Sequence, residues 1–198
     1  GQGVKQDYAQ AFKWYSKAAQ QGDANAQCNL GGMYDQGRGV KQDYAQAFKW
    51  YSKAAQQGKA MAQLNLGFMY YQGRGVKQDY AQAFKWYSKA AQQGDANAQC
   101  NLGGMYDQGR GVKQDYAQAF KWYSKAAQQG KAMAQLNLGF MYYQGRGVKQ
   151  DYAQAFKWCN KAAQQGYANA QYNLGVMYDQ GQGVKQDYAQ AFKWYSKA

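Results

Sequence analysis

Apolar residues recur along this chain with the spacing of one helix face, and the pattern restarts after each glycine-rich break. Between Asp43 and Gly58, at about 100° per residue, Tyr44, Ala47, Phe48, Trp50, Tyr51, Ala54 and Ala55 share one arc. Gln46, Lys49, Ser52, Lys53 and Gln56 fall opposite, which predicts an amphipathic helix. Asp43 suits its N-cap, with Gln46 as capping-box partner, and Gly58 supplies a left-handed stop. A second helix is predicted from about Ala60 to Gln72. Ala62, Leu66, Met69 and Tyr70 form its core stripe, and Gly67 lets a neighbouring helix approach closely. Gly73 and Gly75 then break the helix and Val76 plugs the turn. Neither helix can bury its apolar face alone, so the units must stack.

The whole chain is this unit copied. Gly1, Gly37, Gly73, Gly109, Gly145 and Gly181 mark a strict period of 36 residues. The expected organisation is one repeat domain over 1–198, with units 1–36, 37–72, 73–108, 109–144 and 145–180 and a partial unit 181–198. It reads as an excerpt of a longer array, all-α, with eleven helices. Units 37–72 and 109–144 are identical, while 1–36 and 73–108 differ only at Gln2 and Arg74. Such identity means recent tandem duplication or deliberate repetition. Cys159 and Asn160, where another copy has Tyr123 and Ser124, have the look of natural drift.

Read from Ala62 through Leu66, Gly67, Tyr70, Gly73, Gly75, Val76 and Asp79, the unit follows a recognisable pattern. It continues through Ala83, Trp86, Tyr87, Lys89, Ala90, Ala91 and Gly94. This resembles the Sel-one-like repeat, a relative of the tetratricopeptide repeat, over essentially the whole chain. One departure is the absence of proline after the loop valine, which costs some loop rigidity. The resemblance implies a right-handed α/α superhelical solenoid in which the first helix of each pair, the Ala60–Gln72 type, lines the concave side. It implies scaffold or adaptor work in protein assembly, signalling or bacterial contact with hosts. Some cysteine-rich secreted members look like β-lactam-binding proteins with a disulfide in each helix pair. This chain lacks that cysteine pairing, so β-lactam binding stands only as a remote alternative.

Charge and chemistry narrow the function further. Lys and Arg number 24 against 11 acidic residues, a net charge of +13 that favours an acidic partner. No histidine is present, which removes the commonest general base and metal ligand. Asp7, Asp43 and Asp79 read as helix caps, and Gly37-Arg38-Gly39 follows a helix, so it is a turn and not a nucleotide loop. Cys28, Cys100 and Cys159 lack framework spacing and are expected as reduced thiols, the first two as small apolar surface fillers. No enzyme, cofactor or metal site is expected. Most aromatics fall on core-facing arcs where bases could not stack, and Lys13 and Lys17 read as a solvated convex stripe. Specific nucleic-acid binding is therefore not expected. No apolar run approaches the roughly 20 residues of a membrane span. Cytoplasmic, periplasmic and secreted locations all stay open. Because the ends carry no polar capping repeat, end-to-end self-association is also expected.

The informative signal is where the copies differ. Asp23, Asn25, Cys28, Gly32 and Asp35 in one copy are matched by Lys59, Met61, Leu64, Phe68 and Tyr71 in the next. The last four of each set are spaced along one stripe of the helix. The candidate partner-binding residues are Asn25, Cys28 and Asp35, then Met61, Leu64, Phe68 and Tyr71. Later copies add Asn97, Cys100 and Asp107, then Met133, Leu136, Phe140 and Tyr143, and finally Asn169, Tyr172, Val176 and Asp179. Two readings of the apolar stripes stand side by side. They anchor a protein or peptide in the concave groove, or Phe68 fills space left by Gly32 and Gly104 on neighbouring helices. A self-assembling structural module is the alternative function.

Overall fold

The computed structural model describes residues 7–198, and its regular structure is helical throughout. The helices are α1 (Tyr8–Gln20), α2 (Ala24–Gln36), α3 (Tyr44–Gln56), α4 (Ala60–Gln72), α5 (Tyr80–Gln92) and α6 (Ala96–Gln108). They continue with α7 (Tyr116–Gln128), α8 (Ala132–Gln144), α9 (Tyr152–Gln164), α10 (Ala168–Gln180) and α11 (Tyr188–Tyr195). The predicted limits of α3 and α4 match those observed. The helices group into two units, α1–α5 in Gly1–Asp95 and α6–α11 in Ala96–Ala198.

Each odd helix starts at an aspartate. The Asp43 carboxylate accepts a hydrogen bond from the backbone N–H of Gln46 at 3.0 Å, satisfying one orphan donor of the first turn. The capping box is only half built. The Asp43 N–H does not wait for the Gln46 side chain; it donates to the Tyr34 carbonyl at 3.0 Å and pins the loop to the preceding helix. Asp79 and Tyr70 repeat that bond at 3.0 Å, as do Asp151 and Tyr142. Gly58, at φ 91, stands just beyond the Gln57 C-cap of α3 and supplies the left-handed stop. Gly75 does more than break α4. It holds φ 67, and a Cβ there would run into the Tyr44 carbonyl, so the loop lies directly on the start of α3.

The core comes from both helix types. Ala47, Ala54 and Ala62 are fully buried, with Leu66 and Met69 at 1% exposure. Small alanines on facing helices allow the close approach that the larger side chains then fill. Gly67 sits under the ring of Tyr87: a Cβ there would come within 2.7 Å of the ring edge. Phe48 and Tyr70 meet edge-on at 5.3 Å, and Phe156 repeats the arrangement with Tyr178 at 5.3 Å. Beside the apolar layers runs an amide ladder that joins a buried glutamine to one at the surface. Gln63 donates to the Ala55 carbonyl at 3.1 Å and accepts from Gln93 at 2.7 Å. Gln93 also donates to the Gly58 carbonyl at 3.0 Å, tying the end of one repeat to the next. Gln135, Gln165 and Gly130 build the same step in the second unit. Buried amides that find all their partners specify register, because any slip would leave them unpaired.

Candidate protein-binding face

The even helices carry one stripe inward and leave another outward, and the variable residues divide between the two. Met61 is 53% exposed, Phe68 40%, Met133 45%, Phe140 39% and Tyr172 57%. Asn25, Asn97 and Asn169 are exposed as well. Asp35, Leu64, Tyr71, Asp107, Tyr143, Val176 and Asp179 are half-buried. Cys28, Cys100 and Leu136 are buried, and this corrects the expectation that the two cysteines fill the surface. Cys28 packs with Ala47 and Tyr51 of α3, and Leu136 with Ala155 and Cys159 of α9. In these three repeats the following odd helix covers that turn of the stripe, whereas Tyr172, at the same place in α10, stays exposed.

The space beside Gly32 is not filled by Phe68. The Tyr51 hydroxyl stands there, 3.4 Å from where a Cβ would lie. Phe68 instead carries the Arg74 guanidinium over its ring at 5.4 Å, and Arg74 also lies 5.6 Å over Tyr44. Such cation–π pairing holds an exposed ring in place without removing it from solvent. Tyr71 and Tyr143 are braced by Tyr80 and Tyr152, each at 5.2 Å.

In the first unit Cys28 and Met61 of the variable set edge an open cleft of about 440 Å³. Asn29, Gly32 and Gln36 of α2 form one wall, Met61 and Asn65 of α4 another, with Tyr51 and Arg38 between them. The second unit has a cleft of about 290 Å³ in which Phe140 adjoins Asp107, Asn137 and Arg146. Burial raises the Asp107 carboxyl above its usual range, and the Arg146 charge partly opposes the rise. Asn65 hydrogen-bonds the Tyr51 hydroxyl, while burial, the nearby Asp35 charge and Cys28 push that phenol well up. These asparagines escaped the search for variable positions because every copy has one. Their signal was a polar residue beside the Leu-Gly core pair, on the edge of the core stripe.

A further pocket, of about 170 Å³ and mainly apolar, opens in the second unit between Phe140, Cys159 and Val176. Burial pushes the Cys159 thiol up to about 12 and Cys100 to about 11, the Lys131 charge opposing the latter. Cys28 is raised by burial too, against the pull of Lys59. None of the three is in a disulfide. A protonated thiol is a poor nucleophile, so these cysteines act as apolar fillers in the interior.

Among the described residues no three His, Cys, Asp or Glu side chains cluster as a metal site. No described helix is long and apolar enough to cross a membrane. Of the tryptophans, Trp14 is exposed, Trp122, Trp158 and Trp194 are half-buried, and two are covered. Trp50 and Trp86 are each 9% exposed, with Lys53 and Lys89 over their rings at 4.8 and 4.6 Å.

Paired helices of constant length, a glycine-seated tyrosine in nearly every step and a variable outward stripe define an α/α-repeat solenoid protein. The Sel1 repeat pattern matches residues 1–23, 24–59, 60–95, 96–131, 132–167 and 168–198, and the chain belongs to that family. Its phase begins each full unit at an even helix. Among solved structures, a protective antigen of uropathogenic Escherichia coli strains with an SLR fold is 46% identical, with a TM-score of 0.92. The match covers 98% of this chain and 42% of that one, so this chain spans less than half of the antigen's length. A Sel1 repeat protein from Oxalobacter formigenes is 34% identical with a TM-score of 0.86, covering 98% of this chain and 82% of that one. The cysteine rich protein B of Helicobacter pylori is 31% identical with a TM-score of 0.52, covering 66% of this chain and 94% of that one. No curated protein sequence matches significantly. Sel1 repeats are in general non-catalytic scaffolds that mediate protein interactions.

Proposed function

We propose that residues 1–198 act as one repeat domain that binds a protein or peptide along the outward stripe of its even helices. One observation carries the reading. At the positions where copies differ, large apolar side chains stay in solvent, Met61 at 53% and Phe68 at 40%, while Leu66 and Met69 of the same helix are at 1%. Packing needs account for the buried set and leave the exposed set without a structural task. Exposed aromatics beside amides and arginines have the composition of interaction hot spots. The net charge of +13 favours acidic segments and predicts that salt slows their association. Cys28, Cys100 and Leu136 support the face from beneath. Peptides selected from a displayed random library against the full chain provide the test. Phe68→Ala with Phe140→Ala should weaken their binding tenfold or more, about 1.4 kcal/mol, with the helical content intact. Unchanged affinity in a folded double variant would remove the proposal.

Self-assembly is a second reading with its own observation. Trp14 is 66% exposed and Phe192 74%, whereas Trp50 and Trp86, in the position of Trp14, are at 9%. In the 198-residue polypeptide on its own, these faces match the ones that stacked repeats bury. Added salt should promote head-to-tail association by screening the positive charge. Sedimentation at high protein concentration in low and high salt decides it, and a monomer in both rejects it.

A further inference from the structure

We infer that the pocket beside Cys159 is a binding site for one phenol ring, supplied by a tyrosine of the partner or by a free small phenol. The repeats differ at this place. Tyr51, Tyr87, Tyr123 and Tyr195 each lay a ring on the glycine of the preceding even helix. A Cβ at Gly31, Gly67, Gly103 or Gly175 would stand 2.7–2.8 Å from that ring. At Gly139 the same position is taken by Cys159 Sγ at 2.7 Å, and the rest of the ring is missing. What remains is a pocket of about 170 Å³ whose walls include Gly139, Phe140, Val176 and Met177. An apolar cavity of roughly 150 Å³ is enough to take up benzene.

The polar end is preserved as well. Asn65 hydrogen-bonds the Tyr51 hydroxyl, and its counterpart Asn173 lines the Cys159 pocket. The site thus offers an apolar floor of Cys159 beside Gly139 and an amide for a hydroxyl, where Tyr51 has a glycine floor and the Asn65 amide. Cys159 is buried and forms part of the apolar floor, with no covalent step implied. Phe140, half in solvent at 39%, stands at the rim and joins the pocket to the proposed binding face. The inference deepens that reading but rests only in part on it, since a free phenol needs no peptide.

The test is a titration of the full chain with p-cresol, followed by NMR of the Val176 and Met177 methyl groups. Saturable shifts are expected at about millimolar ligand, as befits a ligand of this size. Cys159→Tyr should abolish them by filling the pocket, and it is compatible with folding because other repeats already carry tyrosine there. Cys159→Ser should retain them. Toluene should bind more weakly than p-cresol, and Asn173→Ala should remove the difference. N-acetyl-tyrosinamide distinguishes the sources: binding of both ligands assigns the site to a partner's tyrosine, and binding of p-cresol alone assigns it to a free phenol. Shifts that do not saturate, or that persist in Cys159→Tyr, would overturn the inference. Phenol binding without any peptide binding defeats only the peptide reading. Peptide binding through Phe68 without phenol binding defeats only this one.

Discussion

Helices α4 and α5 have the same length, 13 residues, yet they solve different problems. The α5 sequence recurs unchanged in α1, α3 and α7; each copy has an aspartate cap, and α3, α5 and α7 bury alanines along one arc. In α4 the Ala62, Leu66 and Met69 positions are just as constant, but the other stripe changes from copy to copy and leaves Met61 and Phe68 exposed. Helices α3 and α4 each pack between two neighbours, but α4 leaves part of one stripe exposed. Residues there can vary at little structural cost, and that is where a repeat protein can place recognition.

The sharpest way to break the comparison is through the loop that joins the two helix types. Gly75→Ala forces a Cβ into the Tyr44 carbonyl at φ 67. It should cost about 3 kcal/mol or more, strain and backbone displacement together. Gly58→Ala meets nothing within 4 Å, so it bears only the left-handed penalty, roughly 1–2 kcal/mol. Urea denaturation of both variants should separate them. Equal losses would mean that the loop does not rest on α3.

Next comes a pair within α4 itself. Leu66→Ala should cost about 2–5 kcal/mol, as buried leucines do. Phe68→Ala, two residues on, should cost less than about 1 kcal/mol, because its side chain stays 40% exposed where Leu66 is at 1%. A Phe68 loss as large as that of Leu66 would show that the stripe packs between repeats.

Much of this was legible beforehand, and what was not has a physical reason. Aspartate caps and glycine stops are local signals, so the limits of α3 and α4 followed directly from the residues. The burial of Cys28 and Leu136 did not, because a helical wheel gives direction and not the height of the neighbour. Only the fold shows that α3 and α9 cover that turn. Gln63 read as one more polar position, yet the Ala55 carbonyl and the Gln93 amide satisfy it in the interior. Cys159 read as drift until Gly139 was seen facing a sulfur where its counterparts face a ring.

That substitution supplies the third prediction. Cys159→Tyr returns a ring to the pocket and should stabilise the chain by about 2 kcal/mol, the usual gain for burying an aromatic side chain. Thermal unfolding checks it. A loss would mean that Phe140 or Met177 has already moved into the space the ring needs.

The smallest effect tests whether the first of the variable positions, at the helix N-cap, is free of structural duty. Asp23 caps α2, its carboxylate accepting from the Ala26 N–H at 2.6 Å. Lys59 occupies the same place before α4 and makes no side-chain cap. The backbones agree, φ −62 and ψ 117 at Asp23 against φ −64 and ψ 110 at Lys59, so an aspartate needs no rearrangement. Lys59→Asp should therefore stabilise by about 1 kcal/mol, through the new cap and a better match to the positive end of the helix dipole. Lys59→Ala removes the charge without adding a cap and should recover only the dipole part, a few tenths of a kcal/mol. Thiol chemistry gives an independent readout. Lys59 lowers the Cys28 pKa against the rise caused by burial. Either substitution should raise that pKa further and slow the reaction of Cys28 with a thiol reagent at fixed alkaline pH. If Lys59→Asp proves no more stable than Lys59→Ala, capping is irrelevant here and the choice of lysine carries no stability cost. If it is more stable, the chain bears a small penalty in α4 that α2 avoids, at a position where the copies are otherwise free to match.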